Sequence, residues 1–166
     1  MCDRCGTLGA HGISISERPA HRLAGHMWEG SNAQAAAGAL HPLIEEMKEV
    51  SARRSALWRS PIVGLTWLDR PGGFRYFVGI AIDNGEAAEP GLQTLDLPEM
   101  SFASSWHGAD DGNVVEHYLR MIEWIADEGR RRDVSIFHQR EEYPPDYDLA
   151  GPPVLRLLMP VVAHPG

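Results

Sequence analysis

Cysteine is nearly absent from this sequence. The 166 residues contain two cysteines, Cys2 and Cys5, both close to the N-terminus. A structural zinc site needs four ligands and no second cysteine pair follows, whereas a redox pair should follow a strand and open a helix. We therefore interpret residues 1–11 as a flexible tail, and the sequence predicts neither a metal site nor a cofactor.

Positive charge and long apolar runs are also scarce. Lys and Arg number 15 against 23 Asp and Glu, which gives a formal net charge of −8. Nucleic-acid binding requires clustered basic residues, so this balance argues against it and slightly favours cationic or neutral ligands. No apolar run approaches the roughly 20 residues of a membrane span, and no signal peptide is visible. We expect a cytoplasmic protein without a membrane or nucleic-acid partner.

Familiar catalytic motifs are missing as well. The eight histidines are scattered along the chain and form no metal-ligand pattern. Ser104 and Ser105 have no base paired with them in the sequence, so a serine hydrolase is not predicted.

The remaining chain, residues 12–166, is interpreted as a single domain. In the whole sequence hydrophobic residues make up 43% and charged residues 23%, which allows a sizeable core. Alternating and 3.6-residue periodicities predict an α+β fold. Strands are expected at residues 13–28, 62–68, 74–83, 92–106, 134–143 and 154–162, and helices at residues 33–54 and 114–129. Pro42 predicts either a kink in the first helix or its division into two.

The order of these elements repeats within the chain. The halves span about residues 13–84 and 92–164, and each reads β-α-β-β. Trp28 and Trp106 each stand two residues before a glycine at the end of a long strand that contains a proline. One such half could cover only one face of a sheet, so the two halves must join to complete a core.

The strand predicted at residues 134–143 carries the most unusual pattern. Its alternation places Ser135, Phe137, Gln139, Glu141 and Tyr143 on one face and Glu142 on the other. A carboxylate is costly to bury unless it is solvated or has a bound partner. We therefore interpret Glu141 and Tyr143 as the mark of a ligand pocket, against the alternative of a solvated carboxylate on an edge strand.

Four stretches resemble one known family. They are Pro19–Gly25, the Arg75-Tyr76…Gly79 strand, Leu97-Pro98 with His107-Gly108 and the Tyr118…Trp124 helix, and Glu141-Glu-Tyr143 with the closing Met159-Pro-Val161. Their order and spacing over residues 13–162 resemble the GyrI-like family, also called AraC-type effector-binding or SOUL-like small-molecule-binding domains.

The resemblance implies both a fold and a range of functions. Duplicated β-α-β-β units would form one curved antiparallel sheet with helices on one face and a ligand groove at the pseudo-twofold axis. Regulators of this family bind hydrophobic, often cationic effectors, with the carboxylate of Glu-x-Tyr as polar anchor. Some stand-alone members resemble hydrolases of cyclopropane-bearing natural products, and the gyrase-inhibitor member binds a protein partner. Residues 1–12 cannot form a helix-turn-helix, so direct control of transcription is not predicted.

The predicted site consists of one carboxylate among aromatic rings. Glu141 is the expected anchor of a small-molecule ligand, with Tyr143 beside it, because rings supply contact area and cation–π attraction. Trp28 and Trp106 are candidate walls, with Trp67 and Tyr76 as weaker ones; the alternative is that these aromatic residues belong to the core. If the protein is an enzyme, Glu141 is the candidate general base and Tyr143 a candidate hydrogen-bond donor to the substrate.

Overall fold

The described part of the chain forms one eight-stranded antiparallel sheet with three helices. A computed structural model describes residues 12–54 and 60–163, so the predicted tail at residues 1–11 lies outside the described residues. The strands are β1 (Ser14–Arg18), β2 (His21–Ser31), β3 (Ile62–Arg70), β4 (Gly73–Ile82), β5 (Gln93–Leu97), β6 (Met100–His107), β7 (Gln139–Tyr143) and β8 (Leu155–Val161). Their order across the sheet is β1-β6-β8-β7-β3-β4-β2-β5.

Two long strands predicted from the sequence are each divided at a proline. β1 and β2 are separate strands on either side of Pro19, and β5 and β6 are separate on either side of Pro98. β1 pairs with β6, whereas β2 pairs with β4 and β5. A proline has no N–H to donate to a neighbouring strand, so the chain leaves one ladder at each proline and joins another.

The helices begin at side-chain caps or near a proline. α1 (Asn32–Ala36) follows a capping box in which Ser31 and Gln34 bond each other's backbone N–H. α2 (His41–Arg54) has Pro42 in its first turn, where a backbone N–H would have no partner within the helix. Of the two predicted alternatives, a kink or a division, the structure has the division into two helices. α3 (Val114–Asp127) starts after Asn113, whose side chain accepts from the N–H of Val115. None of the helices within residues 12–54 and 60–163 is long and apolar enough to cross a membrane.

Each face of the sheet has its own apolar core. The helix-side core joins Ile44, Met47 and Val50 of α2 and Met121 and Ile125 of α3 to strand residues such as Val78 and Leu157. The core on the opposite face contains Leu65, Phe77, Phe102, Phe137 and Leu158. Side chains on both faces of the sheet are therefore buried, which explains why β3 and β4 are apolar on both sides.

The strand predicted at residues 134–143 is shorter than expected. β7 begins at Gln139, because Asp133 accepts hydrogen bonds from both the N–H and the hydroxyl of Ser135 and so holds the preceding segment in a turn. Phe137 precedes the strand and packs in the core opposite the helices. The prediction that it shares a face with Glu141 was therefore wrong.

A buried ion-pair network joins distant strands on the face opposite the helices. Glu142 of β7 accepts bonds of 2.9 and 3.0 Å from Arg18 of β1 and one of 2.8 Å from Arg140. Arg140 is 3.0 Å from a ring nitrogen of His21 and lies over the ring of Phe102. These contacts satisfy a charged group that would otherwise be costly to bury.

Candidate functional site

A pocket of about 410 Å³ opens on the helix side of the sheet. The sheet lines it with Thr66, Phe74, Tyr76, Gln139, Glu141 and Tyr143. Helix α3 lines it with Val114, Val115, Tyr118, Leu119 and Ile122. Its size lies within the range of small-molecule sites, which are mostly apolar with a few placed polar groups. We refer to it below as the Glu141 pocket.

Glu141 supplies the only carboxylate among the described residues that line the pocket, and none of these residues is Lys, Arg or His. It lies on β7 opposite Gly64 of β3 and is half-buried. Burial raises the pKa of Glu141 from its usual 4.5 to about 7, against the opposing effect of a hydrogen bond from Tyr143. The pocket therefore holds a carboxylate that ionises near neutral pH and has no basic residue beside it in the lining.

Two tyrosine hydroxyls connect Glu141 to β4. The Tyr143 hydroxyl donates to Oε1 of Glu141 over 3.2 Å and lies 3.1 Å from the Tyr76 hydroxyl. A Cβ atom at Gly64 would lie 2.0 Å from the Tyr76 hydroxyl oxygen. The absence of a side chain at Gly64 therefore provides the space in which the Tyr76 hydroxyl reaches Tyr143.

A third tyrosine faces the same pocket from the helix. Tyr118 of α3 is 7% exposed, and its hydroxyl has no hydrogen-bond partner within the described residues. Burial raises the pKa of Tyr118 well above its usual value, and the charge of Glu141 adds to the shift. Tyr118 was missed as a site residue, because its spacing in an apolar helical stripe is equally typical of a core position.

The predicted residues on the helix side of the sheet lie in or next to the pocket. Glu141, Tyr143 and the weaker candidate Tyr76 all line it. Trp28 shares this face through its pairing with Tyr76, but it packs against Phe74, with ring centroids 5.3 Å apart, and does not line the pocket. Trp28 thus supports the wall formed by Phe74.

The other two tryptophans, which were predicted as walls, lie on the opposite face of the sheet and do not line this pocket. Trp67 packs edge-on against Phe137 and donates from its ring N–H to the carbonyl of Ile136 over 2.6 Å. Trp106 pairs with Arg156, which pairs with Glu142, so it lies beside Glu142 in a separate depression of about 230 Å³. Successive residues of a strand face opposite sides of the sheet. The match of Trp106 to Trp28 in the repeat therefore did not show on which face Trp106 lies.

A buried array of serine and histidine lies between β6 and α3. Oγ of Ser105 is 2.8 Å from Nε2 of His117, whose Nδ1 is 2.7 Å from Nδ1 of His107. Nε2 of His107 is 3.0 Å from the carbonyl of Gly112, just before α3. Ser105 is 1% exposed and does not line the Glu141 pocket, so the array fastens α3 to the sheet and is closed to a substrate.

Solved structures with this fold show low sequence identity to the chain. One is SAV2435 bound to tetraphenylphosphonium, at 18% identity and a TM-score of 0.67, covering 91% of this chain and 94% of that one. The EcmrR C-terminal domain matches at 13% identity and a TM-score of 0.64, covering 90% and 96%. A hydrolase from Listeria innocua matches at 15% identity and a TM-score of 0.53, covering 90% and 91%. At these identities the likeness establishes the fold.

The comparison of sequences gives the family. No curated protein matches this chain. The model of the GyrI-like small molecule binding domain matches residues 11–161, which is nearly the whole chain. The α+β architecture with its open antiparallel sheet agrees with that match. The chain belongs to the family of GyrI-like small-molecule-binding domains.

Proposed function

We propose that the chain binds a hydrophobic, cationic small molecule in the Glu141 pocket, with Glu141 as its polar anchor. The observation that carries the proposal is the single ionisable carboxylate in a cavity otherwise lined by apolar, aromatic and neutral polar side chains. A bound cation would favour the ionised form of Glu141, which burial disfavours. Phe74 and Tyr76 would add contact area and cation–π attraction.

The strand order supports the proposed duplication, and on this basis we propose a pseudo-twofold axis between β3 and β7, next to the pocket. If β1–β4 are exchanged with β5–β8, the order across the sheet is the same read in reverse, and β3 and β7 are the central pair. Glu141 of β7 pairs with Gly64 of β3 at this centre. We therefore infer a groove between two related halves, in which the anchor lies at their junction.

The structure of SAV2435 supplies a suitable probe, because that protein was solved with tetraphenylphosphonium. We expect tetraphenylphosphonium to bind this chain in isothermal titration calorimetry at pH 8, where Glu141 is mostly ionised. Glu141→Gln keeps the shape of the side chain and should weaken binding by about 10- to 100-fold, since it removes the charge. Triphenylphosphine oxide, a neutral compound with similar rings, should not distinguish the two proteins.

Glu116→Gln is the matched control. Glu116 lies exposed on α3 and does not line the pocket. Because both variants replace one Glu by Gln, they have the same formal net charge. If both variants weaken tetraphenylphosphonium binding equally, the overall charge attracts the cation and Glu141 is not its anchor. If tetraphenylphosphonium does not bind at all, the proposed ligand class is wrong for this chain.

A hydrolase is the second candidate function. The observation that favours it is the pKa of about 7 for Glu141, which suits a general base at neutral pH. Tyr143 already donates to Glu141 and would hold the base in place. Incubation with a cyclopropane-bearing alkylating compound, followed by mass spectrometry, should then show hydrolysed product that is absent with Glu141→Gln. Turnover that persists in the variant would remove Glu141 as the base.

A further inference from the structure

One carboxylate oxygen and one tyrosine hydroxyl in the Glu141 pocket have no hydrogen-bond partner within the described residues. Of the two carboxylate oxygens of Glu141, only Oε1 accepts a bond, which comes from Tyr143. The Tyr118 hydroxyl on the facing helix is buried and unpaired. Leaving a buried polar group such as the Tyr118 hydroxyl unsatisfied costs about 1 to 3 kcal/mol, so such groups are normally paired or reserved for a ligand or water.

The other two tyrosine hydroxyls of the pocket already have hydrogen-bond partners. The hydroxyl oxygens of Tyr76 and Tyr143 lie 3.1 Å apart and form a chain of hydrogen bonds that ends at Oε1 of Glu141. Tyr118 remains outside this chain, although the charge of Glu141 reaches it and contributes to its raised pKa. Glu141 and Tyr118 line the same cavity from two walls, the sheet and α3.

We infer that the pocket recognises a protonated primary or secondary amine on an apolar body, with one N–H donated to Oε2 of Glu141 and another to the hydroxyl oxygen of Tyr118. This inference rests on the proposed function and narrows its ligand class. An ammonium group has only donors, and both atoms can accept. The apolar body would lie against Val114, Leu119 and Ile122 of α3. Tetraphenylphosphonium has no N–H and would bind through charge and ring contacts alone.

The test is a methylation series on one aromatic body. The probes are 2-(1-naphthyl)ethylamine and its N-methyl, N,N-dimethyl and N,N,N-trimethyl derivatives, measured by isothermal titration calorimetry at pH 8. Each methyl group also adds apolar area, so the informative quantity is the ratio of dissociation constants between the natural chain and Tyr118→Phe for each probe. We expect Tyr118→Phe to weaken the primary and secondary amines by about tenfold and to leave the quaternary ammonium unchanged.

Tyr147→Phe is the matched control. Tyr147 packs on the ring of Tyr143 and its pKa is also raised, first by burial and then by the charge of Glu141, but it does not line the pocket. This variant should bind all four probes like the natural chain. Urea unfolding of both variants shows whether the fold is retained.

The results separate this inference from the proposed function. If Tyr118→Phe changes the affinity of all four probes by the same factor, or of none, the inference is overturned: Tyr118 then acts through packing or holds a water. The proposed function survives that result as long as Glu141→Gln still weakens every cation. If none of the four probes and no tetraphenylphosphonium binds, the proposed function itself fails.

Discussion

Replacing Glu141 by Gln should make the protein more stable at pH 8 and leave its stability nearly unchanged at pH 4.5. The pKa of Glu141 is about 7 in the folded chain against a usual 4.5. Below pH 4.5 the carboxyl is protonated in both the folded and the unfolded chain. As the pH rises from 4.5 to 7, the unfolded chain loses this proton first, so the folded state is progressively disfavoured.

The size of the effect follows from the displacement of the pKa. A difference of about 2.5 pH units, from 4.5 to about 7, corresponds to roughly 3 kcal/mol. Glu141 is half-buried and solvent in the pocket weakens the penalty, so we expect Glu141→Gln to raise the free energy of unfolding by about 1 to 3 kcal/mol at pH 8. The Gln side-chain oxygen can still accept from Tyr143, so little should be lost at low pH.

Urea unfolding followed by tryptophan fluorescence at several pH values between 4.5 and 8 measures this difference. Taking the variant minus the natural chain cancels the titration of all other groups, provided the dependence of the unfolding free energy on urea stays the same. Glu116→Gln, which removes an exposed carboxylate of α3, is the control for the loss of one charge. A difference for Glu141→Gln that is constant with pH, or that falls as the pH rises, would refute a raised pKa for Glu141.

Three further predictions follow from the same geometry. The dissociation constant of a permanent cation such as tetraphenylphosphonium should rise about tenfold from pH 8 to pH 6, because the ionised fraction of Glu141 falls from about 0.9 to about 0.1. Calorimetry of Glu141→Gln should show no such dependence on pH. Gly64→Ala should lower the free energy of unfolding by about 1 to 3 kcal/mol, because its Cβ would lie 2.0 Å from the Tyr76 hydroxyl oxygen; a thermal midpoint equal to that of the natural chain would contradict this. Ser105→Ala should cost about 1 to 3 kcal/mol in urea unfolding, since it removes the partner 2.8 Å from Nε2 of His117, and a loss below about 0.5 kcal/mol would show that the array adds little stability.

The helices and most strands could be predicted because their signals are local. The apolar period of α3 and the alternation in β3 and β4 depend on neighbouring residues alone. The strands on the two sides of Pro19 belong to different ladders, and β1 pairs with β6, which lies far along the chain. No local pattern specifies that choice, so two edge strands were joined to their neighbours in the prediction.

The aromatic residues of the site show a second limit. Tyr76 and Tyr143 were predicted in the site and line the pocket, whereas Trp67 and Trp106 lie on the other face. A shift of one residue along a strand moves a side chain to the other face of the sheet. Two repeated halves can be aligned with an error of one residue from sequence alone, so the repeat does not fix the face of each side chain. Tyr118 was recognisable only as the one hydroxyl in an apolar helical stripe. That its hydroxyl has no partner among the described residues depends on contacts between elements, which the sequence does not reveal.

Glu141 and Glu142 show how sharply the fold separates adjacent residues of one type. They face opposite sides of the sheet, as the alternation predicted, through their pairing with Gly64 and Val63. Burial acts to raise the pKa of both carboxyls. At Glu142 the hydrogen bonds and charges of Arg18 and Arg140 outweigh it and lower the pKa. At Glu141 no such cation lies among the described residues, and the pKa rises to about 7. Glu142 therefore has its cations within the chain and stabilises the junction of strands. Glu141 has a pocket where a cation would lie, and this difference in partners, rather than in residue type, is why only Glu141 is the candidate ligand anchor.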